Sequence, residues 1–354
     1  VANSLNNLAT LYFSQDRYSE AEPLYLKVLA LRKKLLGEEH PDIGTSLNNL
    51  AGLYQAQGRL SEAEPLYLQG LELAKRLLGE DHLQVAIYVY NLAKFYHDQE
   101  RYTEAEPLYL QVLALERLLR KDPHLVADCL NGLAELYQSQ DSYNEAEFLY
   151  LQVLALRKYL LGEEHLLVAE CLNSLAVCYV CQGYYSEAEP LYIQALELTR
   201  RLQGEDCLLV ASIQHNLADL YKIQNRYSEA EPLLRQALEL QKSLKGEEHP
   251  SIATILNNLA DLYVVQGRYG KAEALSKQAL ELSRRLLGDR HSNVADSLSI
   301  LSRLYYMQER YRESLDLLVQ SLDIYEQRLG QAHPRTVRVR KCLELLRIDL
   351  NSRD

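Results

Sequence analysis

One pattern of apolar and polar residues recurs eight times along the chain. Each copy begins with a stretch such as Leu47, Leu50 and Tyr54, where apolar residues recur at i, i+3 and i+7 and mark one face of a helix. A polar break at Gln57 to Arg59 separates it from a second amphipathic stretch. Each copy therefore predicts a pair of helices, and the tandem copies predict an all-α protein.

An alanine in the first stretch marks the period. The marker residues are Ala9, Ala51, Ala93, Ala134, Ala176, Ala218, Ala260 and Ser302, which lie 42 apart except for one step of 41. The predicted units span residues 1–37, 42–79, 84–120, 125–162, 167–204, 209–246, 251–288 and 293–330, so that 1–330 form one array. Residues 335–350 predict one more amphipathic helix, which covers the apolar end of the eighth unit.

Local signals refine each unit. Ser61 and Glu64 have the spacing of a capping box, which predicts the start of the second helix. A glycine such as Gly79 follows that helix and predicts a left-handed residue at its end. A tyrosine equivalent to Tyr54 recurs in every copy and is expected at the seam between repeats, with its hydroxyl bonded. The third linker, residues 119–124, lacks the glycine and predicts a local change in twist.

The stretch from Leu256 to Gly288 and the linker from Gly246 to Pro250 resemble the tetratricopeptide repeat, in its 42-residue variety of kinesin light chains and related bacterial proteins. The resemblance covers essentially the whole chain. It implies a right-handed α-solenoid of eight helical hairpins with a C-terminal capping helix. It also implies that the first helices line a concave groove that binds peptides.

The leading candidates for peptide contact lie three residues before each marker. They are Asn6, Asn48, Tyr90, Asn131, Asn173, His215, Asn257 and Ser299. An asparagine amide both donates and accepts hydrogen bonds, so it suits the backbone of an extended peptide of any sequence. The alternative is that these amides bond to the neighbouring repeat. That role is expected for a second set, two residues before the marker, at Asn7, Asn49, Asn91, Asn216 and Asn258.

The charged residues expected in the groove are mainly acidic. The basic ones are Lys94, Lys222 and Arg303, and the acidic ones are Asp98, Asp128, Glu135, Glu170, Asp219, Asp261 and Asp296. This excess favours a neutral or basic partner segment, with apolar anchors beside Phe13 and Tyr306. It departs from the basic groove associated with kinesin light chains.

Composition narrows the classes of partner. A net charge of -11 argues against binding to a phosphate backbone, and no apolar run is long enough to predict a membrane span. The six cysteines show no paired pattern and no Asn-x-Ser/Thr site occurs, which together favour a cytoplasmic protein.

Residues that could support catalysis fit structural roles instead. A histidine recurs in the linkers, where successive repeats would hold the rings too far apart for one metal ion, so a capping role is predicted. Cys178 and Cys181 resemble a redox pair, but they come late in a helix, and Cys178 occupies a site that is leucine in other copies. We therefore expect no enzyme activity, no cofactor and no metal.

Two functions follow from these expectations. The leading one is a non-catalytic scaffold that binds an extended peptide or partner segment in the groove. The alternative is an assembly or regulatory arm of a larger protein, such as a signalling ATPase, which acts by self-association or by intramolecular contact.

Overall fold

The structure is a computed structural model that describes residues 1–115 and 122–352. Within these ranges the chain forms seventeen α-helices and no strand. They are α1 (Ala2–Ser14), α2 (Tyr18–Leu36), α3 (Pro41–Ala56), α4 (Leu60–Leu78), α5 (Leu83–Asp98), α6 (Tyr102–Leu113), α7 (Pro123–Ser139), α8 (Tyr143–Leu161), α9 (Leu166–Gln182), α10 (Tyr185–Gln203), α11 (Leu208–Ile223), α12 (Tyr227–Lys245), α13 (Pro250–Val265), α14 (Tyr269–Leu287), α15 (Ser292–Met307), α16 (Tyr311–Leu329) and α17 (Pro334–Asn351). The predicted all-α solenoid of eight hairpins and a last helix is confirmed.

The chain divides into two compact units, one from Val1 to Leu136 and one from Tyr137 onward. In the first unit, α1 to α6 pack in consecutive order, each helix on the next. In the second unit, α8 to α17 do the same, and the first helix of one repeat also contacts that of the following repeat, as α13 contacts α15. The predicted repeat limits at 1–330 and 335–350 stay a prediction.

Small residues allow the two helices of each hairpin to approach closely. The marker alanines are fully buried, and so are their partners in the second helices, such as Ala51 and Ala63. In the eighth repeat both positions are serine. There the Ser302 hydroxyl donates to the Ser314 carbonyl over 2.9 Å, and Ser314 returns the bond over 2.8 Å, so two polar groups satisfy each other inside the core.

The recurrent seam tyrosine bonds to a glutamate of the preceding repeat, as predicted. Tyr96 donates to Glu64 over 3.1 Å, and Tyr221 bonds likewise to Glu189. An arginine of the same repeat completes the contact. The Arg101 guanidinium lies 4.2 Å from the centre of the Tyr96 ring and donates to Glu64 over 2.9 Å. This arrangement holds successive repeats together.

The capping-box prediction is wrong. The second helix α4 begins at Leu60 after the N-cap Arg59, and no side chain caps it. Ser61 is therefore already inside the helix. The glutamate at the predicted box position, Glu64, instead accepts hydrogen bonds from the next repeat.

The linker histidines cap the first helices, which confirms their predicted role. The His40 Nδ1 accepts from the Asp42 amide over 3.2 Å, and His82, His165, His249, His291 and His333 repeat this contact. Seven of the second helices end at a glycine with a positive φ, as expected, and α6 ends at Ala114 instead. At Gly37, however, ψ is 177°, so the residue is extended rather than left-handed helical, in a region that only glycine enters readily.

The predicted change in the third linker concerns residues 119–124, of which 119–121 lie outside the described residues. At its end, the Asp122 carboxylate caps α7 by accepting from the Leu125 amide over 3.1 Å. The predicted cap of the eighth repeat is present in α17, where Val339, Leu343 and Leu346 are buried in one cluster with residues of α15 and α16.

Candidate functional site

The two sets of asparagines bond to each other. The Asn49 amide donates to the Asn6 carbonyl oxygen over 3.1 Å, and Asn216 donates to Asn173 over 3.0 Å. The residue two before each marker thus reaches the residue three before the previous marker. This pairing connects adjacent first helices and leaves the Nδ2 groups of Asn6 and Asn173 free to donate.

The residues three before each marker form what we call the asparagine row. His215 belongs to this row and makes the same contact. The Asn258 Nδ2 donates to its Nε2 over 2.6 Å, so that nitrogen carries no proton. Burial lowers the pKa of His215, which favours the neutral ring. His215 therefore serves as an acceptor where asparagine stands in other repeats.

Two asparagines of the row have a side-chain oxygen without a hydrogen-bond donor in the described part of the chain. Asn48 is 8% exposed and Asn257 is 5% exposed, and the Oδ1 of each has no hydrogen-bond partner among the described residues. Asn91 stands at the position that would donate to Asn48, but no bond between the two forms. Ile300 stands at the position that would donate to Asn257 and cannot do so. A buried carbonyl oxygen without a donor is costly, so both sites favour an outside donor.

The middle of the row differs in chemistry. The Tyr90 ring lies 6.1 Å from the Tyr109 ring, centre to centre. The Asn131 amide donates to Glu135 of its own helix over 2.7 Å. Beside it, a β-carbon on Gly132 would lie 2.7 Å from the Tyr109 ring, so this glycine makes room for the aromatic residue. In these two repeats the row therefore presents an aromatic ring and an amide bound to a carboxylate, instead of an amide paired with the next repeat.

A groove of about 640 Å³ lies on the first unit. Its walls come mainly from the first helices α1, α3 and α5, and include Thr10, Phe13, Asn48, Gln55, Asn91, Lys94 and Asp98. Its volume falls in the range of ligand-binding pockets. Three of the predicted contact residues, Phe13, Asn48 and Lys94, are therefore brought together.

A tyrosine of the second helix orders the floor of this groove. Tyr67 donates to the Gln55 side chain over 2.8 Å, and Gln55 donates to Asp98 over 2.7 Å. Sequence reasoning missed Tyr67 because it considered first helices alone. The signal was available, since a tyrosine recurs at this second-helix site in Tyr25, Tyr67, Tyr109, Tyr150 and Tyr192.

His97 adjoins the groove and is neutral at ordinary pH. Burial, with a smaller effect from Lys94, lowers its pKa to about 4. Its ring lies edge-on to Tyr109, at 6.2 Å between ring centres. His97 therefore adds aromatic surface and no positive charge.

Internal pairing alters the predicted charge balance in the second unit. The Lys222 ammonium lies 2.6 Å from Asp219 and 3.0 Å from Asp261, and Arg303 also pairs with Asp261. These four predicted groove residues thus form a network across α11, α13 and α15. Because they neutralise one another, they offer a partner less negative charge than the residue count suggests.

Tyr306 lies at the end of the second unit. It contributes to a largely apolar pocket of about 460 Å³ between α15 and α17. Its hydroxyl donates to Asp349 of α17 over 3.2 Å, which fixes the ring at the pocket edge.

The cysteine pair has structural surroundings. Cys178 is fully buried and its thiol donates to the Tyr143 carbonyl over 3.3 Å. Burial raises the pKa of the Cys178 thiol to about 11, which disfavours the reactive thiolate. Among residues 1–115 and 122–352, no group of three His, Cys, Asp or Glu side chains is placed to hold a metal ion. In the same ranges no helix combines the length and apolarity that crossing a membrane requires.

Comparison with known proteins identifies the repeat. The tetratricopeptide repeat family matches residues 1–76, 42–115, 83–159, 125–197, 169–243 and 251–327, and a second tetratricopeptide repeat description matches residues 215–286. No curated protein matches the sequence.

Several solved structures are similar to this chain. BtubC (BKLC) from P. vanneervenii is 28% identical, with 65% of this chain and 92% of that chain covered and a TM-score of 0.52. The nearly identical kinesin light chain TPR-like repeats of Podosopora anserina are 30% identical over 57% of this chain and 96% of that one, with a TM-score of 0.48. A Rap protein complexed with Competence and Sporulation Factor is 16% identical over 100% and 99% of the two chains, with a TM-score of 0.64, and shows the fold alone. The predicted resemblance to kinesin light chain-like repeats is confirmed.

Proposed function

This chain belongs to the tetratricopeptide repeat family, and we propose that it is a non-catalytic scaffold that binds an extended, neutral or basic segment of a partner protein along its first helices. The observation that carries the proposal is the groove of the first unit. There Asn48 and Asn91 face the same 640 Å³ space with side-chain amides that make no hydrogen bond among the described residues.

The chemistry of these amides suits a peptide backbone. An extended chain presents N–H and C=O groups alternately, and an asparagine amide can pair with either. The Asn48 oxygen needs a donor, which a backbone N–H supplies. The walls also include the polar side chains of Thr10 and Gln55. Their two charged residues, Lys94 and Asp98, have opposite signs, so the groove offers hydrogen bonds without selecting strongly for charge.

The fold supports the same proposal. Tetratricopeptide repeats generally act as scaffolds for protein–protein interaction. The Rap protein with this fold was solved in complex with Competence and Sporulation Factor, so the fold accommodates a bound factor in that protein. Our proposal assigns this chain no catalytic step, because six of its nine histidines cap helices and burial raises the pKa of the Cys129 and Cys178 thiols.

A peptide array with basic, neutral and acidic sequences tests the proposal. The test variant is Asn48→Ala with Asn91→Ala, which removes two amides that hold no other part of the fold. The matched control is Asn7→Ala, which lies at the position of Asn91 in the first repeat, is exposed and makes no hydrogen bond among the described residues. We expect neutral or basic hits whose affinity falls roughly tenfold in the double variant and stays unchanged in the control. If the double variant binds the hits as tightly as the control variant does, the groove is not the binding site.

A second candidate function is an assembly or regulatory arm. It is favoured by the outer face of α1, where Leu8 and Leu11 are exposed. Their equivalents in the second repeat, Leu50 and Leu53, are buried, and the helix that carries them, α3, packs on α2 of the preceding repeat. A helix from another copy or another domain would fit this face.

Light scattering of the purified chain tests this candidate. Self-association that disappears in Leu11→Asp supports the arm, with Leu68→Asp as the control because Leu68 is an exposed leucine of a second helix. A monomer at every concentration would remove self-association from consideration.

A further inference from the structure

Two hollows adjoin in the second unit, where α15 meets the capping helix α17. The larger one, of about 460 Å³, is mainly apolar and includes Leu318, Leu345 and Leu346. The smaller one, of about 280 Å³, is polar and includes Asn257. Ser299, Ile300, Arg338 and Val339 line both, so the two hollows share a wall and place an apolar and a polar surface side by side.

Arg338 provides a positive charge at the junction. The neighbouring cations are occupied, since Arg303 pairs with Asp261 and Arg335 lies 3.9 Å from Asp296. Arg338 is exposed and makes no ion pair with any residue in the described ranges. Its planar guanidinium can form two parallel hydrogen bonds with a carboxylate. The two carboxylates of the lining, Asp261 and Asp296, already face Arg303 and Arg335, so Arg338 is left to pair with a negative group of a ligand.

Asn257 determines which polar group a ligand must present. Its Nδ2 donates to Ser297 over 2.9 Å, and its buried Oδ1 has no partner. The last torsion of an asparagine is soft, so a small rotation can turn this oxygen toward a ligand in the polar hollow. The group that satisfies it must be a hydrogen-bond donor.

The apolar hollow requires an aliphatic group from the ligand. Leu345 is 58% exposed although it lines a pocket whose walls are largely aliphatic. Covering it with an aliphatic side chain removes apolar surface from water on both sides. A volume of 460 Å³ is within the range of pockets that hold ligands.

We propose that this site binds an extended peptide that presents an aliphatic side chain next to a carboxylate side chain. The aliphatic group fills the hollow beside Leu345, the carboxylate pairs with Arg338, and a backbone N–H satisfies Asn257. A free aliphatic acid lacks the N–H donor, and a basic segment would face the Arg338 charge. The inference rests on the proposed scaffold function and adds a second site with a different preference from the groove of the first unit.

Fluorescence polarisation tests the proposal with three labelled octapeptides. Each has a Gly/Ser background and a central Leu-Glu, Leu-Lys or Ser-Glu pair. We expect Leu-Glu to bind about tenfold more tightly than either of the others, because each of them lacks one of the two required groups. Equal binding of all three would overturn the proposal, and so would full competition by octanoate, which would identify a site for free aliphatic acids.

Charge variants locate the site. Arg338→Gln should weaken Leu-Glu binding about tenfold and should not weaken Leu-Lys binding, because it removes a charge that repels the lysine. Lys341→Gln is the matched control, since it removes one exposed positive charge from the same helix away from the pocket. An equal loss in both variants would show only general attraction to a positive helix and would overturn the assignment.

An exposed thiol gives a second readout that needs no substitution. Cys342 lines the apolar hollow, whereas the exposed Cys181 does not. Alkylation followed by mass spectrometry should show that the Leu-Glu peptide slows modification of Cys342 several-fold and leaves Cys181 unchanged. Equal rates with and without peptide at saturation would place the peptide elsewhere.

The two proposals fail in different ways. If the scaffold function is wrong, array hits will be indifferent to Asn48→Ala with Asn91→Ala. If only the second site is wrong, those hits will keep their dependence on Asn48 and Asn91, while the Leu-Glu peptide will show no dependence on Arg338.

Discussion

Two helical glycines, each beside a tyrosine of the same second-helix position, should respond to alanine substitution with opposite sign. Gly132 lies in α7, and an added β-carbon would sit 2.7 to 2.8 Å from three atoms of the Tyr109 ring. Gly52 lies in α3, and its β-carbon would meet only the Tyr67 hydroxyl, at an ordinary 3.5 Å. Both residues lie inside helices, so alanine gains the same helix propensity at each, about 1 kcal/mol.

The packing cost separates the two sites. Tyr109 is 1% exposed, and its ring is confined between Tyr90 and His97. Extra atoms in a filled core cost about 1–3 kcal/mol. We therefore expect Gly132→Ala to destabilise the chain by up to about 2 kcal/mol after the gain in propensity, and Gly52→Ala to stabilise it by about 0.5–1 kcal/mol.

Urea unfolding followed by circular dichroism measures both changes. Because repeat arrays need not unfold in one step, hydrogen exchange in α6 and α7 should accompany it. A second substitution tests whether contact with the Tyr109 ring causes the loss of stability. Tyr109→Leu shortens the side chain to the leucine found at Leu234 and Leu318, so Gly132→Ala should no longer destabilise in that background. A Gly132→Ala protein as stable as Gly52→Ala, or an unchanged penalty with Tyr109→Leu, would refute the packing argument.

Three further predictions follow from the repeat contacts. Tyr184→Arg should stabilise the chain by about 0.5–1 kcal/mol in thermal melts, because the arginine can reach Glu147 as its equivalents reach their glutamates; no gain would contradict this. Cys207→His should add the missing cap of α11 and stabilise by about 1 kcal/mol, whereas His165→Ala should lose a cap and cost a similar amount; equal effects would refute the capping role. Since burial lowers the pKa of His97 to about 4 from 6.5, the unfolded chain binds more protons between these values. Stability should therefore fall by up to about 3 kcal/mol from pH 7 to pH 4, and His97→Gln should flatten that slope in urea titrations; an unchanged slope would contradict the burial of His97.

The sequence was sufficient for the repeat and its helices because those signals are local. Apolar spacing fixes the helical faces, and the linker histidines stand directly before the helices that they cap. The error at Ser61 and Glu64 has a physical reason. A glutamate near a helix start can accept hydrogen bonds from its own backbone or from another repeat. At Glu64 the arginine and tyrosine of the next repeat are the donors, and the charged arginine makes the stronger bond.

The candidate site was only partly predictable for a related reason. Sequence position placed Asn6, Asn48 and Asn257 in one row, but it could not show which amides already have partners. That outcome depends on the distance between adjacent first helices and on the residue 43 positions later. The pairing of Lys222 and Arg303 with Asp261 has the same origin, since it joins residues that are close only after the repeats stack.

The asparagine row can therefore hold repeats together or bind a partner, and the next repeat determines which. Asn49 closes the contact to Asn6, whereas Ile300 leaves the Asn257 oxygen open. Ile300→Asn should place an Nδ2 group where it can donate to Asn257, as Asn49 donates to Asn6.

This substitution separates stability from binding. The new hydrogen bond satisfies a buried oxygen, which should offset the lost apolar contact of Ile300 and leave the melting temperature within a few degrees of the parent. The same bond removes the acceptor proposed for the peptide, so Leu-Glu affinity should fall several-fold while the response to Arg338→Gln persists. The control is Ile300→Val, which keeps the site apolar and should leave affinity unchanged. Unaltered affinity in Ile300→Asn would show that Asn257 takes no part in binding, and the peptide would then be held by Arg338 and the apolar hollow alone.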